Sequence, residues 1–458
     1  MKLTYRKLCE IWGEPYQSNN LDLNSYINNV YTDTRSYCYG GLFVPLVGLN
    51  YDGHKFLKQA LAKGAKATVI SKNNKYKVPT TFTYWEVDNT LKAYQQLALL
   101  YRQQINKPII AITGSVGKTT TRELVKSLLA SSLGDIHSST GNNNNEVGLP
   151  LTILGFQESH QAIVLELAMR NIGEISTLSY ISQPDIAVIT NIGTAHIGRL
   201  GSRENIAKAK SEIVYGLKKN GVLIIPYGEK LLEQSLSKIW SGRITRVACL
   251  TDDKDILEGE PEIIAKYNSK ENTVSIKSEV YKVPLEGLHN AKNFVLAIAV
   301  AKELKINIPS KSNLKVSLPR GRSSIILHKN ISLLDETYNS SPESLLASIA
   351  LLGGKAGRRI AIIGPMLELG EDSIEFHRIV GKKIIDNNID IFILVSGCPE
   401  IKALGDELRP LGNIYYADNV SSVVDILLKI ARPNDFLLFK ASRSIGLEDA
   451  ISLFIKSY

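Results

Sequence analysis

The stretch KPIIAITGSVGKTTTRELVKSLL, residues 107–129, decides the fold. A run rich in β-branched residues at 109–113 predicts a buried strand, and apolar residues at 124, 125, 128 and 129 predict one face of a helix. The turn between them consists of Gly114, Ser115, Val116, Gly117, Lys118, Thr119 and Thr120. Glycines allow a tight turn, so that several backbone N–H groups can point at one anion beside the positive end of the helix. The stretch therefore predicts a phosphate-binding loop.

Two side chains of this loop have predicted roles. Lys118 is placed to reach the β- and γ-phosphates of a nucleotide, and the Thr119 hydroxyl is placed to coordinate Mg²⁺. The pattern G-x-x-x-x-G-K-[ST] is incomplete, because Ile112 stands where its first glycine belongs. The shorter form G-x-x-G-K-T-T remains between strand and helix. A purely structural turn would rarely be followed by Lys-Thr-Thr, so the sequence favours phosphate binding.

Length and composition indicate a multidomain globular protein. A chain of 458 residues is too long for one ordinary core, so two or three domains are expected. Its 44% hydrophobic and 22% charged content is typical of soluble proteins. No apolar run approaches the roughly 18 residues of a membrane helix, and charges interrupt the apolar residues of the N-terminus. We therefore expect neither membrane insertion nor a signal peptide.

The cysteines and the net charge further restrict the class of protein. The four cysteines lie far apart without C-x-x-C spacing, which argues against structural zinc and disulfides and favours reduced thiols in the cytoplasm. The net charge of +9 raises the question of nucleic acid, but Lys and Arg are spread along the chain without a basic tract. A cleft for small polyanionic substrates is the better interpretation, and no nucleic-acid partner is expected.

Alternating strands and helices divide the chain into three α/β units, residues 1–84, 85–313 and 314–458. The first contains the polar run Asp33-Thr34-Arg35-Ser36, in which Arg35 either grips a phosphate or is an ordinary solvated charge. The third follows the polar link at 309–313, has no phosphate loop, and is expected to close over the central unit. Its predicted strands lie near 331–335, 359–363, 390–395 and 435–440.

The central unit is predicted to hold a mostly parallel sheet covered on both faces, because its strands are almost continuously apolar. The strand candidates are 109–113, 161–167, 185–191 and 221–225. Ligands of such sheets bind beyond the carboxyl ends of the strands. Lys118, Glu166 and His196 all follow or end such strands. The sequence therefore predicts that these three side chains share one site.

Glu166, His196 and the two lysines of the next predicted helix each have a simpler, structural interpretation. Glu166 is either half of a buried ion pair or a Mg²⁺ ligand or polarising base, since an unpaired carboxylate in an apolar strand is costly. His196 alone would often be a structural histidine, but its placement beside Lys118 favours a ligand role. Lys208 and Lys210 lie on a predicted helix at 206–213, where lysines normally face solvent.

Asparagines mark two further segments. Asn144 and Asn145 belong to the polar loop 141–146, whose amides either orient substrate or form an ordinary turn. Asn290 and Asn293 lie three residues apart at the start of an apolar helix, where they either read an adenine edge or cap the helix.

These motifs, in this order, resemble the Mur ligase family of peptidoglycan synthesis over essentially the whole chain. The resemblance rests on DTRS (33–36), GLFVPLVGLNYDGHKF (41–56), TGSVGKTTT, GNNNNEVGLPLTIL, LELAMRNIGEI, NIGTAHIG, AKAKSEI, GLHNAKN, DETYNSSPESL (335–345), GPMLELGEDSIEFH (364–377) and KASRSIGLED (440–449). It implies three domains: a uridine-nucleotide-binding domain, a P-loop ATPase domain and a mobile, Rossmann-like C-terminal domain.

The resemblance also implies an activity. The γ-phosphate of ATP passes to a peptide carboxylate, and an amine then displaces phosphate from the acyl phosphate. The last three motifs favour the member that joins D-Ala-D-Ala to UDP-MurNAc-tripeptide, a step in cell wall biogenesis and hence in cell shape and cell division. We expect a cytoplasmic monomer that uses ATP and Mg²⁺. The sequence leaves open whether the third peptide residue is diaminopimelate or lysine.

Site residues carry over by position in the same way. The segment 114–120 is expected to bind ATP, and further nucleotide contacts match Asn290, Asn293, Arg322 and Asp335. Metal ligation is implied for Thr119, Glu166, His196 and Lys210. Lys210 matches a lysine that becomes carbamylated in the family, with Lys208 as the ambiguous neighbour. The resemblance implies substrate binding by Thr34, Arg35, Asn144 and Asn145.

Two alternatives remain at this stage. One is another amide ligase of the same fold, a sister Mur enzyme or a polyglutamate synthetase. The other is a nucleotide-binding regulator without activity, against which the presence of Glu166, His196 and Lys210 weighs. Residues 167–170, 226–228 and Pro365 depart from the family pattern, which bears on substrate contacts rather than on the ATPase.

Overall fold

The computed structural model of the chain describes residues 3–17, 21–35, 39–251, 259–308 and 314–458. Ser36 of the DTRS motif, Cys38 and the predicted link 309–313 therefore lie outside the described residues. Three α/β units follow one another, each with its own sheet. The predicted fold class is confirmed: the first two sheets are parallel or mostly parallel, and so is the third.

The first unit carries a four-stranded parallel sheet of order β1-β2-β5-β6 and a small β3-β4 hairpin. Its elements are α1 Tyr5–Trp12, β1 Val30–Tyr31, β2 Leu42–Phe43, β3 Val47–Gly48, β4 Tyr51–Asp52, α2 Leu57–Ala62, β5 Ala67–Ser71 and β6 Thr83–Val87. The predicted boundary after residue 84 cuts β6, although all five of its residues pair with β5. The first sheet therefore extends to Val87.

The central unit contains the nine-stranded sheet β15-β14-β13-β12-β11-β10-β7-β9-β8. Its helices are α3 Thr90–Gln104, α4 Lys118–Leu133, α5 Gly148–Leu154, α6 Glu174–Ser182, α7 Ile197–Leu200, α8 Arg203–Ser211, α9 Lys230–Leu236 and α10 Leu288–Glu303. Its strands are β7 Ile109–Thr113, β8 Ile136–Ser138, β9 Ala162–Glu166, β10 Ile186–Ile189, β11 Val222–Pro226, β12 Arg243–Leu250, β13 Ile263–Asn268, β14 Thr273–Ile276 and β15 Glu279–Lys282. The antiparallel edge β13-β14-β15 was not among the predicted strands.

The third unit contains the six-stranded sheet β16-β17-β21-β18-β19-β20, in which only the edge strand β16 is antiparallel to its neighbour. Its strands are β16 Ser324–His328, β17 Ile331–Asp335, β18 Arg359–Ile363, β19 Ile391–Val395, β20 Ile414–Ala417 and β21 Phe436–Lys440. Its helices are α11 Pro342–Gly353, α12 Ser373–Ile384, α13 Pro399–Leu408, α14 Val420–Ile430 and α15 Leu447–Ser457.

Strand β7 shows how the central sheet is buried on both faces. Ile109 and Ala111 belong to one apolar cluster, whereas Ile110 and Ile112 belong to another on the opposite face. Helices α4 and α10 cover the second face. The first cluster continues without interruption into the first unit, where it includes Trp85. These clusters hold the carboxyl ends of β7, β9 and β10 side by side.

No helix among the described residues is both long enough and apolar enough to cross a membrane.

Helix α10 provides a test of this packing. Phe294 is 1% exposed between α10 and the sheet, and its truncation to alanine should lower the free energy of unfolding of the central unit by about 3–5 kcal/mol because a cavity remains. Chemical denaturation followed by circular dichroism measures the loss. Leu288→Ala in the same helix, at a position 36% exposed, is the control and should cost far less. Equal losses would contradict the assigned packing.

Candidate active site

A cavity of about 1470 Å³ lies between the central and third units, beyond the carboxyl ends of β7, β9 and β10. Residues of both units line it. The predicted site residues in its wall are Ser115, Val116, Gly117, Lys118, Thr120, Asn144, Asn145, Glu166, His196, Asn290, Asn293 and Arg322. Of the others, Gly114, Thr119, Lys210 and Asp335 are buried behind the wall. The structure therefore brings most of the predicted residues together.

Two glycines of the phosphate loop are required by its geometry. Gly114 has φ +151°, and a Cβ there would lie 1.9 Å from Thr190 Oγ1. Gly117 has φ +81°, and a Cβ there would lie 2.7 Å from Asn293 Oδ1. Glycine avoids both the backbone strain and the clashes. The loop can therefore pack tightly between β10 and α10.

Asn191, which was not among the predicted site residues, fixes the phosphate loop from the end of β10. The N–H of Ser115 donates to its backbone oxygen and the N–H of Val116 to its Oδ1, each at 3.1 Å. The amides that remain for an anion are those of the first turn of α4, which begins at Lys118. The only sequence signal for Asn191 is its position after an apolar strand beside the phosphate loop.

The Lys118 ammonium lies over the loop itself. Its Nζ donates to the backbone oxygens of Gly114 at 2.8 Å and Ser115 at 3.2 Å. Burial lowers the pKa of Lys118, and the nearby Glu166 carboxylate opposes that shift. The cation is therefore held where phosphate oxygens above the loop would meet it.

Glu166, 2% exposed at the end of β9, is the centre of a polar cluster. Its Oε2 accepts hydrogen bonds from Thr119 Oγ1 at 2.8 Å and Arg122 Nη1 at 3.1 Å. Its Oε1 accepts one from Asn144 Nδ2 at 2.9 Å. The buried ion pair with Arg122 is thus present, and the carboxylate also adjoins the threonine predicted to bind Mg²⁺.

The oxygen donors of this cluster fit Mg²⁺. Mg²⁺ prefers oxygen ligands and is usually held by one or two side chains together with phosphates and water. The Thr119 hydroxyl and the Glu166 carboxylate provide two such oxygens in direct contact. In the described parts of the chain, no group of three or more His, Cys, Asp and Glu side chains is arranged as a complete metal cage.

Lys210 and Lys208 differ in their burial. Lys208 is exposed, whereas Lys210 is 2% exposed on the inner face of α8. Burial, followed by the positive charge of Lys118, lowers the pKa of Lys210 well below its usual value. The expectation that helix lysines face solvent is therefore wrong for Lys210, because α8 packs this side against the rest of the central unit.

His196 faces the third unit. Its Nδ1 lies 2.6 Å from Glu368 Oε2, and the residue adopts φ +67° at the start of α7. Burial and the nearby Lys118 lower the pKa of His196, and Glu368 acts in the opposite direction.

A second carboxylate of the third unit binds the loop that carries His196. Glu343, in the first turn of α11, accepts hydrogen bonds from Thr194 N at 2.8 Å and Thr194 Oγ1 at 3.1 Å. The Tyr338 hydroxyl also donates to Asn142 Oδ1 at 2.8 Å. The third unit is therefore docked on the central unit in this structure.

The expected nucleotide contacts have different local partners. Asn290 Nδ2 donates to Glu286 O at 2.7 Å, and the Asn293 side chain adjoins Gly117. The Arg322 guanidinium stacks 3.8 Å from the centre of the Tyr338 ring. Buried Asp335 accepts hydrogen bonds from the Gly321 amide and the Thr337 hydroxyl, and so it shapes the loop that carries Arg322.

Thr34 and Arg35 lie in the first unit and do not line this cavity. The Thr34 hydroxyl donates to Gln59 Oε1 at 3.0 Å, whereas Arg35 is exposed and pairs with Asp33. Their predicted role in substrate binding concerns a separate surface.

A strand–loop–helix phosphate site in a mostly parallel sheet, covered by a second α/β unit, defines a P-loop nucleotide-binding protein. Family profiles agree: the Mur ligase middle domain matches residues 112–301, and the Mur ligase glutamate ligase domain matches 321–443. The chain belongs to the Mur ligase family.

Individual relatives match the chain over nearly its whole length. It is 39% identical to the UDP-N-acetylmuramoyl-tripeptide–D-alanyl-D-alanine ligase of Synechocystis sp., covering 94% of this chain and 93% of the relative. The enzyme of that name from Bacillus subtilis is 35% identical, with 94% of each chain covered.

Solved structures give the same picture. MurF from Acinetobacter baumannii superposes with a TM-score of 0.86 at 26% identity, covering 99% of both chains. MurF from Thermotoga maritima in complex with ADP gives 0.80 at 26% identity, covering 93% of this chain and 97% of that structure.

Gly114→Ala tests the phosphate loop. The added Cβ would clash with Thr190 Oγ1, and alanine at φ +151° would carry about 1–3 kcal/mol of backbone strain. The affinity for ADP should therefore fall about 10- to 100-fold. Isothermal titration calorimetry measures the affinity. Gly397→Ala is the matched control, since no atom lies within 4 Å of a Cβ there. Unchanged ADP binding by Gly114→Ala would refute the assigned loop.

Proposed function

We propose that this chain is an ATP-dependent, ADP-forming ligase that joins D-Ala-D-Ala to UDP-MurNAc-tripeptide. The observation that carries the proposal is the cluster of Lys118 and Glu166 in the wall of a cavity that the third unit covers, with Thr119 hydrogen-bonded to Glu166 behind the wall. The names and near full-length coverage of the relatives support the choice of substrates.

The reaction divides into two displacements. A carboxylate oxygen of the peptide attacks the γ-phosphorus of ATP, the bond to the bridging oxygen breaks, and ADP leaves. The amine of D-Ala-D-Ala then attacks the carbonyl carbon of the acyl phosphate, loses a proton, and phosphate departs. Both reactants of the first step are anions, so catalysis requires positioning and charge neutralisation.

The chain offers groups for both tasks. The Lys118 ammonium and the first turn of α4 bind and neutralise phosphate oxygens. Contacts of Glu343 and Tyr338 with the central unit hold the third unit over the cavity, which excludes water that would hydrolyse an acyl phosphate.

Metal binding and substrate contacts complete the proposal. Thr119, Glu166 and His196 would hold Mg²⁺, which supplies further positive charge beside the phosphates. Asn290, Asn293, Arg322 and Asp335 bind or support the nucleotide. Thr34 and Arg35 contact the uridine nucleotide, and Asn144 and Asn145 contact the peptide. We place the enzyme in the cytoplasm as a monomer.

Lys210 is proposed to be carbamylated. Burial lowers its pKa, so a larger fraction of the amine is neutral and nucleophilic near neutral pH. Attack of the neutral Nζ on CO₂ with loss of one proton gives a carbamate, so that the side chain beside Lys118 would carry a negative charge able to support the metal.

The direct test mixes the protein with ATP, Mg²⁺, UDP-MurNAc-tripeptide and D-Ala-D-Ala and measures phosphate and product mass. We expect one phosphate per pentapeptide product, with release dependent on both acceptors. Release only with a different amino donor would identify another amide ligase of this fold. The absence of release with every acceptor would favour a regulatory nucleotide-binding protein.

Lys118→Ala should reduce turnover by about 10²–10³-fold, because the ammonium group that stabilises the negative charge developing on the phosphate is lost. The same phosphate assay measures it, and the melting temperature verifies the fold. Lys126→Ala, on the same helix, serves as the control and should behave like the unmodified protein. Retained activity in Lys118→Ala would refute the role given to this lysine.

The carbamate has its own test. After incubation with ¹³C-bicarbonate, the protein should give a ¹³C NMR carbamate signal that disappears in Lys210→Met and persists in Lys208→Met. A signal that survives in Lys210→Met, or that is missing from the unmodified protein, would contradict carbamylation at this residue.

A further inference from the structure

The loop that carries His196 is held by two carboxylates, and both belong to the third unit. Glu343 accepts two hydrogen bonds from Thr194, and Glu368 lies 2.6 Å from His196 Nδ1. A side chain expected to serve the central phosphate site therefore takes its orientation from another domain.

The contact between the loops of His196 and Glu368 extends to the backbone. The Gly198 N–H donates to the backbone oxygen of Glu368 at 3.0 Å. A Cβ on Gly198 would lie 2.5 Å from the Gly370 nitrogen, so the two segments are in contact through their backbones. His196 and Glu368 both have positive φ, at +67° and +62°. This interface fixes where both side chains can point.

The pairing also distinguishes the two ring nitrogens of His196. A carboxylate can only accept, so Nδ1 carries the proton that it donates to Glu368. In the neutral ring, Nε2 then keeps its lone pair, and His196 lines the cavity that also contains Lys118. Histidines that bind metals commonly donate their second N–H to a carboxylate in this manner.

We propose that Glu368 is a positioning residue that fixes the tautomer and orientation of His196, so that Nε2 is presented to the metal–nucleotide complex when the third unit is docked. The inference rests on the proposed function in one respect, namely that His196 contacts the metal. Glu368 belongs to the segment 364–370, GPMLELG, which thereby acquires a role in the site of another domain.

The test uses Mn²⁺ as the probe, titrated into the full-length protein saturated with ADP and followed by electron paramagnetic resonance. Glu368→Ala should weaken Mn²⁺ binding about 10- to 100-fold, which is the usual effect of removing a carboxylate behind a metal ligand. Glu368→Gln should stay within a few-fold of the unmodified protein, because its amide oxygen still accepts the Nδ1–H. Glu371→Gln, an exposed carboxylate three residues away, is the control.

Two results would overturn the inference. One is Mn²⁺ affinity in Glu368→Ala equal to that of the unmodified protein. The other is an equal loss in Glu368→Gln and Glu368→Ala, which would indicate a charge effect rather than a fixed tautomer. The Glu368 side chain is 44% exposed, so Glu368→Ala should keep its melting temperature and its affinity for ADP without metal, and a loss confined to Mn²⁺ affinity then reports positioning rather than misfolding.

The same experiment separates this inference from the proposed function. Loss of Mn²⁺ affinity in Glu368→Ala supports the positioning role even if the unmodified protein fails to ligate D-Ala-D-Ala. Full ligase activity of the unmodified protein, together with unaltered Mn²⁺ binding in Glu368→Ala, supports the function and rejects the positioning role.

Discussion

The burial of the Glu166 charge is the constraint on which the site depends. A carboxylate that is 2% exposed at the end of an apolar strand must be neutralised and hydrogen-bonded. Thr119 and Arg122 from α4 and Asn144 from the neighbouring loop satisfy it. Because these partners come from different segments, one charge draws the phosphate loop, the first turns of α4 and the asparagine loop together.

The third unit completes what this arrangement begins. The central sheet supplies the phosphate loop and an anionic oxygen cluster at one edge, but that edge alone would be open to water. Arg322 enters from the other side, stacked on Tyr338, while Glu343 and Glu368 hold the loop around His196. The cavity is therefore a product of two domains, and charges of both signs face each other across it.

Much of this arrangement was predictable from local pattern. The apolar strand at 109–113 has the predicted bounds, and the rule that ligands meet at the carboxyl ends of parallel strands correctly grouped Lys118, Glu166 and His196. Local pattern could not reveal that Lys210 is buried, because that depends on how α8 packs. It also could not reveal Asn191 or Glu368, since their partners lie 75 and 172 residues away along the chain.

The apolar cluster that runs from Trp85 in the first unit to the central sheet has a mechanical consequence. The first and central units share one continuous core, so neither can rotate without exposing apolar surface of the other. The third unit contacts the central unit through the hydrogen bonds of Glu343 and Glu368, a main-chain approach at Gly198 and the side chain of Ile197. We therefore expect the first and central units to move as one rigid body, and the third unit to move relative to them. The distance between the Arg35 surface of the first unit and the phosphate loop of the central unit is then set by their shared core and stays constant when the third unit moves.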